Sequence, residues 1–523
     1  MESLRITNLK CLKDTNFMDI KPITVLLGGN GTGKSTIVRF FPLLRQTVEE
    51  RARGALLWFG KYVDFGSFHD AKFTGALAND ISFSFQFILK GPYFSTEFED
   101  KEQLTEVQLT LSYDEKKRIT FVSRITCKIL GVQIDISISG NRKVTGYNIN
   151  GEEIETPGDA FEVWGGSRFV PIVVSKLYIS DTRRGRLHSS YRRASKDLFF
   201  IRRTRALLKR YFSKRVLDKT IDSFVSSLPL AEHGQFVNSM MTPGEGKHHF
   251  IEHIRNLQND DPIFSKSRNY CIAGLIHEIL SHLSEHISAL ARNTYYIGPS
   301  RAIANRHYRE QELDVDIIDY QGQNVAMFLR SLTDEELKSF NEWAGKNFGI
   351  NIIVDCSVSH VSVKIKELGK NESFNIADMG FGFSQILPII AQAWAISTNR
   401  NRRRRVGYNT LFAPTIFAIE QPELHLHPTQ QAMVANMLVS TVKTAESIGL
   451  DLRLVVETHS EAIINRLGEL ISGDQIESSA INVLVFDRNP LDGSASVTCA
   501  SYDANGNLQN WPFGFFVPQD YAN

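Results

Sequence analysis

At 523 residues the chain is too long for one ordinary core, so two or more lobes are expected. Hydrophobic content of 42% and charged content of 22% fit a globular protein, and the absence of an apolar run near 20 residues argues against a membrane span. A formal net charge of +1 hides an uneven distribution: Arg183 to Arg215 holds thirteen Lys or Arg against the single acid Asp197, leaving 46 basic and 57 acidic residues elsewhere. A mildly acidic body with one basic arm points to a polyanionic partner at that arm.

The first elements read as strand, turn and strand, beginning with Leu4-Arg5-Ile6 and without the layout of a signal peptide. Thr24-Val25-Leu26-Leu27 is a buried strand running into Gly28-Gly29-Asn30-Gly31-Thr32-Gly33-Lys34-Ser35-Thr36. Gly28, Gly33, Lys34 and Ser35 meet the spacing G-x-x-x-x-G-K-[ST]. Glycines let successive N–H groups turn inward toward phosphate oxygens, and the helix start adds unpaired donors. Lys34 is expected to reach the β- and γ-phosphates and Ser35 to join a Mg²⁺ shell, so ATP and Mg²⁺ are the expected cofactors. The nucleotide-contacting set is read as Asn30, Gly31, Thr32, Gly33, Lys34, Ser35 and Thr36.

Period-two alternation then marks a half-buried antiparallel lobe, at Ile81 to Phe87, Val107 to Leu111 and Val132 to Ile138. Turn signals follow at Asn148-Ile149-Asn150-Gly151 and Thr156-Pro157-Gly158-Asp159. From 181 to 292 the texture is helical and basic, with loops expected at Asn238 to His249 and Asn256 to Pro262. Within it Tyr191, Phe199, Phe200, Tyr211 and Phe212 interleave with the cations, favouring nucleic-acid phosphates with base stacking; Arg192, Arg193, Arg202, Arg203 and Arg205 are the residues expected to carry it. His277, His282 and His286 lie on one helix, but His277-Glu278 to His282 is one residue too long for the zinc spacing. The five cysteines are scattered without a CxxC pair, which suits a reducing cytoplasm.

The last third alternates strands and helices, implying a parallel sheet with helices on both faces. Strands are expected at Ile352 to Asp355, Val361 to Ile365, Thr415 to Ile419, Leu452 to Val456 and Ile481 to Phe486; helices at Ser384 to Ala395, Gln430 to Ser447 and Ser460 to Gly468. Arg400 to Arg405 reads as a surface loop with five arginines. The division expected is 1–180 and 293–523 as two parts of one α/β head, split by a helical insertion at 181–292.

Three stretches complete the chemistry. Ile416-Phe417-Ala418-Ile419-Glu420 is an apolar strand ending in a carboxylate suited to Mg²⁺, followed by Gln421-Pro422-Glu423-Leu424-His425-Leu426-His427-Pro428. Leu454-Val455-Val456-Glu457-Thr458-His459-Ser460 leads to a histidine within reach of a γ-phosphate. Asp378-Met379-Gly380-Phe381-Gly382-Phe383-Ser384-Gln385 is a glycine-rich loop opening a helix, a second natural phosphate contact.

In this order the motifs resemble the ATP-binding-cassette heads of the SMC, RecF and OLD group. The resemblance implies an ATPase head with a mixed sheet, flanking helices and an antiparallel β lobe. It makes Gly382, Ser384 and Gln385 the signature loop that caps a partner protomer's nucleotide, and His459 the switch histidine. ATP then sits between two protomers. GFGFSQILP, IEQPELHLHP, YYIGPSR and Trp511-Pro512-Phe513-Gly514-Phe515-Phe516 together look like Septu-type and retron-associated (PtuA-like) defence ATPases. That branch implies cytoplasmic antiphage defence with a separate nuclease such as an HNH protein, nucleic acid and, in retrons, a reverse transcriptase. A RecF-like repair clamp and a non-hydrolysing ATP-locked scaffold are the alternatives. About sixty residues follow His459 without a DxD-type cluster, so no nuclease is expected in this chain. Most such heads carry a carboxylate after the Mg²⁺-holding acid; here Gln421 stands there, with Glu423 as the nearest other base. Hydrolysis is therefore expected to be slow, carried by Glu420, Gln421, Glu423 and His459.

Overall fold

A six-residue run of apolar residues ending in glycine, Ile23–Gly28, forms the innermost parallel strand of the protein and is buried along its whole length. A computed structural model describes residues 2–50, 52–75, 79–89, 103–156, 160–165, 169–177, 196–242, 247–311, 314–400 and 413–510. Arg192, Arg193, Pro157 to Asp159, Arg402 to Arg405 and the Trp511 to Phe516 stretch lie outside the described residues.

The chain divides into two units, one of residues 1–5, 51–57 and 77–286, the other of 6–50, 58–76 and 287–523. In the second unit the sheet order is Leu12–Asp14, Ala495–Tyr502, Ile481–Arg488, Ile23–Gly28, Leu452–Glu457, Thr415–Glu420, Thr294–Ile297. The last five are mutually parallel. Parallel strands covered on both faces read as continuous apolar runs, as these do. The register sets Leu26 beside Glu457, Glu457 beside Glu420, and Ile419 beside Ile297. All four strands therefore end at one edge, where α/β sheets hold their ligands.

Three long helices follow the strands: Lys34–Glu49, Phe381–Ser397 and Pro428–Ser447. Phe381–Ser397 is apolar almost all round and buried from Ser384 to Ser397, as an interior helix must be. Its Trp394 meets Phe340 edge-on, with centroids 5.5 Å apart, in the core of this unit. A smaller antiparallel sheet, Ile350–Cys356 with His360–Glu367 at its centre, completes the unit. Arg400 is not on a surface loop: its buried guanidinium donates to Glu336 at 3.1 Å and to the Val315 and Ser331 carbonyls. A charge run reads as a solvated face unless distant partners are known, and here they lie 64 to 85 residues away.

The first unit carries an antiparallel meander of Ile81–Leu89, Gln103–Asp114, Ile119–Ile129, Val132–Ile138 and Val144–Ile149. Burial alternates along it, most cleanly in Val132–Ile138, as the period-two pattern requires. Helices Leu198–Leu208, Asp218–Ser227, His233–Met240, His248–Ile254 and Pro262–Ala273 pack around a second core in which Phe212 stacks on Phe250 at 4.3 Å. Asn238 to Met240, expected in a loop, completes a helix because Phe236, Val237 and Met240 are buried in that core.

Candidate functional site: the phosphate-loop corner

Where Ile23–Gly28 ends, the backbone turns through positive φ at Gly28, Gly31 and Gly33 (153°, 75° and 98°). A side chain at Gly28 would collide with the Phe486 carbonyl, so only glycine fits beside that neighbouring strand. The loop borders a cleft of about 290 Å³ lined by Asn30, Gly31, Gly33, Lys34, Ser35 and Thr36. Thr32 faces away, buried, and donates to the Gly29 carbonyl at 2.9 Å.

Lys34, 3% exposed, folds its ammonium back onto the loop, donating to the Gly28 and Gly29 carbonyls at 3.0 and 2.7 Å. Burial pulls its pKa below the ordinary lysine value, opposed by Glu457, whose carboxylate lies 4.0 Å away. Ser35 donates its hydroxyl to Glu457 Oε1 at 2.9 Å. Oε2 of Glu457 is buried without a hydrogen-bond partner, and burial first, then Glu420, raises this carboxyl's pKa.

Glu420 is held differently. One turn along the helix from Ser35, Arg39 grips it with one guanidinium edge, Nε to Oε1 and Nη2 to Oε2, each at 2.8 Å. Tyr296 adds its hydroxyl to Oε1 at 2.6 Å. Arg301 donates to the carbonyls of Glu420 and of Gln421, the latter at 3.1 Å. Burial pulls the Arg301 pKa down to about 10. The YYIGPSR stretch therefore ties the end of Thr415–Glu420, a role that only the three-dimensional neighbourhood reveals.

Gln421 lines the cleft with a left-handed backbone, φ 44°, its N–H bonded to the Glu457 carbonyl at 2.8 Å. Glu423 is buried; its oxygens accept from the Thr458 hydroxyl at 2.8 Å and the His459 N–H at 2.7 Å. Burial nevertheless raises its pKa. His459 has a buried Nε2 without a hydrogen-bond partner, and burial, then Lys34, lowers its pKa, favouring the neutral ring. Neither Glu423, His459 nor Glu420 is among the residues lining the cleft.

The second glycine loop opens helix Phe381–Ser397 at Gly380, φ 79°. Ser384 turns its hydroxyl onto the Phe381 carbonyl at 2.8 Å, and Gln385 makes long contacts of 3.4 and 3.5 Å to the Arg301 and Ala302 carbonyls. Gly382 packs where an added Cβ would lie 2.8 Å from the His425 carbonyl. These residues do not line the phosphate-loop cleft.

In the other unit, Arg203 donates to the Glu155 carbonyl and lies 5.4 Å from the Phe199 ring centroid. Arg205 bonds Asp222 at 2.6 Å, while Arg202 is exposed.

Buried lysine, helix-start hydroxyl, inward-turned glycines and a strand-end carboxylate with a spare oxygen suit a nucleotide triphosphate with a divalent cation. Parallel sheet and phosphate loop together define a P-loop nucleotide-binding protein. More particularly, the chain belongs to the AAA ATPase domain family, whose model matches residues 1–464. No curated protein matches the sequence. Among solved structures it is similar to the Smc head domain with an extended coiled coil bound to the C-terminal domain of ScpA from Pyrococcus furiosus, at 12% identity over 96% of each chain and TM-score 0.35. It is also similar to the SMC head domain from Thermotoga maritima, at 9% identity over 95% of this chain and 97% of that one, TM-score 0.32. A Smc head with a coiled coil and joint from Pyrococcus yayanosii aligns at 11% identity over 97% of each, TM-score 0.35. Among the described residues, no helix is long and apolar enough to cross a membrane.

Proposed function

We propose that this protein is a slow ATP-hydrolysing switch that works as a dimer and controls a separate nuclease acting with nucleic acid in antiphage defence. The observation that carries the reading is the buried Lys34 ammonium, resting on loop carbonyls at 2.7 and 3.0 Å beside a phosphate-sized cleft. Burying an ammonium is costly unless charge compensates it, and an anion in the cleft would do so.

ATP bound there supplies a phosphoanhydride to hydrolyse, with Mg²⁺ to offset its charge. Lys34 and the loop N–H groups hold the phosphates, and Ser35 orients toward the cation. Gln421, facing the cleft, orients water without taking its proton. Glu423 has both oxygens engaged by the Thr458–His459 turn, so it positions that turn. The Ser384 loop, turned away from its own cleft, is assigned to a second copy's nucleotide. The defence role, the nuclease and the nucleic acid rest on the motif resemblance, and Arg202 is the exposed cation among the described candidates.

Affinity purification of the tagged chain from its host, with and without a non-hydrolysable ATP analogue, tests the reading. A nuclease and nucleic acid retained in one nucleotide state, with turnover below about 1 s⁻¹, are expected. Recovery of neither, in any nucleotide state, would contradict it.

A further inference from the structure

Two glutamates end adjacent strands at the same level of the sheet, and the chain treats them differently. We propose that Glu457, together with Ser35, is the carboxylate that faces the nucleotide's divalent cation, and that Arg39 and Tyr296 keep Glu420 from that role. The inference rests on the nucleotide-site reading above and decides which acid serves it.

Glu457 has the free valence. Its side chain is 4% exposed, lines the cleft and accepts the Ser35 proton on Oε1, while Oε2 has no hydrogen-bond partner. A hydroxyl that donates its proton to a carboxylate turns its lone pairs elsewhere. Here the donor lies in the first turn of the helix and lines the cleft, so those lone pairs are available to a hard cation that prefers oxygen ligands. Lys34 Nζ, 4.0 Å from Oε1, adds positive charge without bonding it closely.

Glu420 has none. Its oxygens take three short hydrogen bonds, two of them from one guanidinium in the fork geometry that gives the strongest carboxylate pairing. Metal ligation through Glu420 would have to compete with that fork for the carboxylate's charge. Arg39 itself lines the cleft, whereas Glu420 does not. Glu420 then positions Arg39 and Tyr296, and through its carbonyl Arg301.

The test uses the full chain, Mn²⁺ and adenylyl imidodiphosphate. Bound Mn²⁺ is counted by electron paramagnetic resonance, and nucleotide affinity in EDTA is measured separately by calorimetry. Glu457→Gln is expected to weaken Mn²⁺ binding in the ternary complex by roughly 10- to 100-fold, at least tenfold more than Glu420→Gln does. Nucleotide affinity in EDTA should hold within about threefold, because the lysine and loop N–H groups remain. Should Glu457→Gln fail to fold, Glu457→Asp, which retracts the carboxylate by one methylene, is expected to show the same loss. Mn²⁺ affinity lost equally or more through Glu420→Gln would overturn the assignment. Failure of the wild type to bind nucleotide even in EDTA would strike the nucleotide site itself, a separate result.

Discussion

Two glycine-rich loops each open a long helix in the same unit, and they are built to different degrees of completion. The phosphate loop, Gly28 to Lys34, turns through three positive-φ glycines, folds its lysine home and borders its own cleft. The loop at Gly380 has one positive-φ glycine, closes Ser384 onto its own helix and leaves Phe381 55% exposed, near the His425 ring. One loop folds back on its own lysine; the other presents a helix start and an aromatic outward.

The largest expected effect breaks the first loop alone. Lys34→Ala should weaken ATP binding by roughly 10²- to 10³-fold by calorimetry, since a charge-assisted contact to phosphate is lost. Wild-type affinity in that variant would remove the self-sufficiency of the phosphate loop. Next, Gln421→Glu places a proton acceptor at the cleft and should raise turnover by on the order of 10²-fold. Glu423→Gln is the control: fast wild-type turnover, insensitive to the first change and abolished by the second, would move the base to Glu423.

Much of the first loop was legible because its parts are neighbours in sequence. Ile23–Gly28 is a buried, mostly apolar run, the glycines follow, and the helix starts at Lys34, one residue before the opening expected at Ser35. The strands Thr415–Glu420, Leu452–Glu457 and Ile481–Arg488 likewise matched their apolar runs to within a residue or two. What sequence could not show is which distant groups meet. Ser35 and Glu457 are 422 residues apart, Arg39 and Glu420 381, and only the strand order brings them together. Neither Glu457 nor Arg39 was therefore among the residues expected at the site.

The same distinction between self-satisfied and outward groups sorts the basic helix Leu198–Leu208. Arg202→Gln should lower the slope of log K against log salt for nucleic acid by about 0.7–0.9, one phosphate's worth. Arg205→Gln should leave that slope unchanged and instead cost about 1 kcal/mol of stability, because its guanidinium serves Asp222. An equal fall in slope from both would erase the difference.

The smallest effect concerns Glu457 without nucleotide. Its folded pKa lies above the ordinary 4.5, so its contribution to stability is full below that value and is lost as pH rises through the folded pKa. Glu457→Gln should therefore melt progressively higher than wild type as pH rises above the ordinary carboxyl value of 4.5. A gap that is constant with pH would mean the carboxyl titrates normally.

Sedimentation of the full chain with Mg²⁺ and a non-hydrolysable ATP analogue tests most directly whether the second loop is completed by another copy. The wild type should double its mass when the analogue is added. Ser384→Arg should bind the analogue yet sediment as the monomer, because the guanidinium fills the helix start meant for the partner's phosphate. A wild type that stays monomeric at saturating analogue, or a Ser384→Arg variant that dimerises as the wild type does, would contradict the dimeric switch.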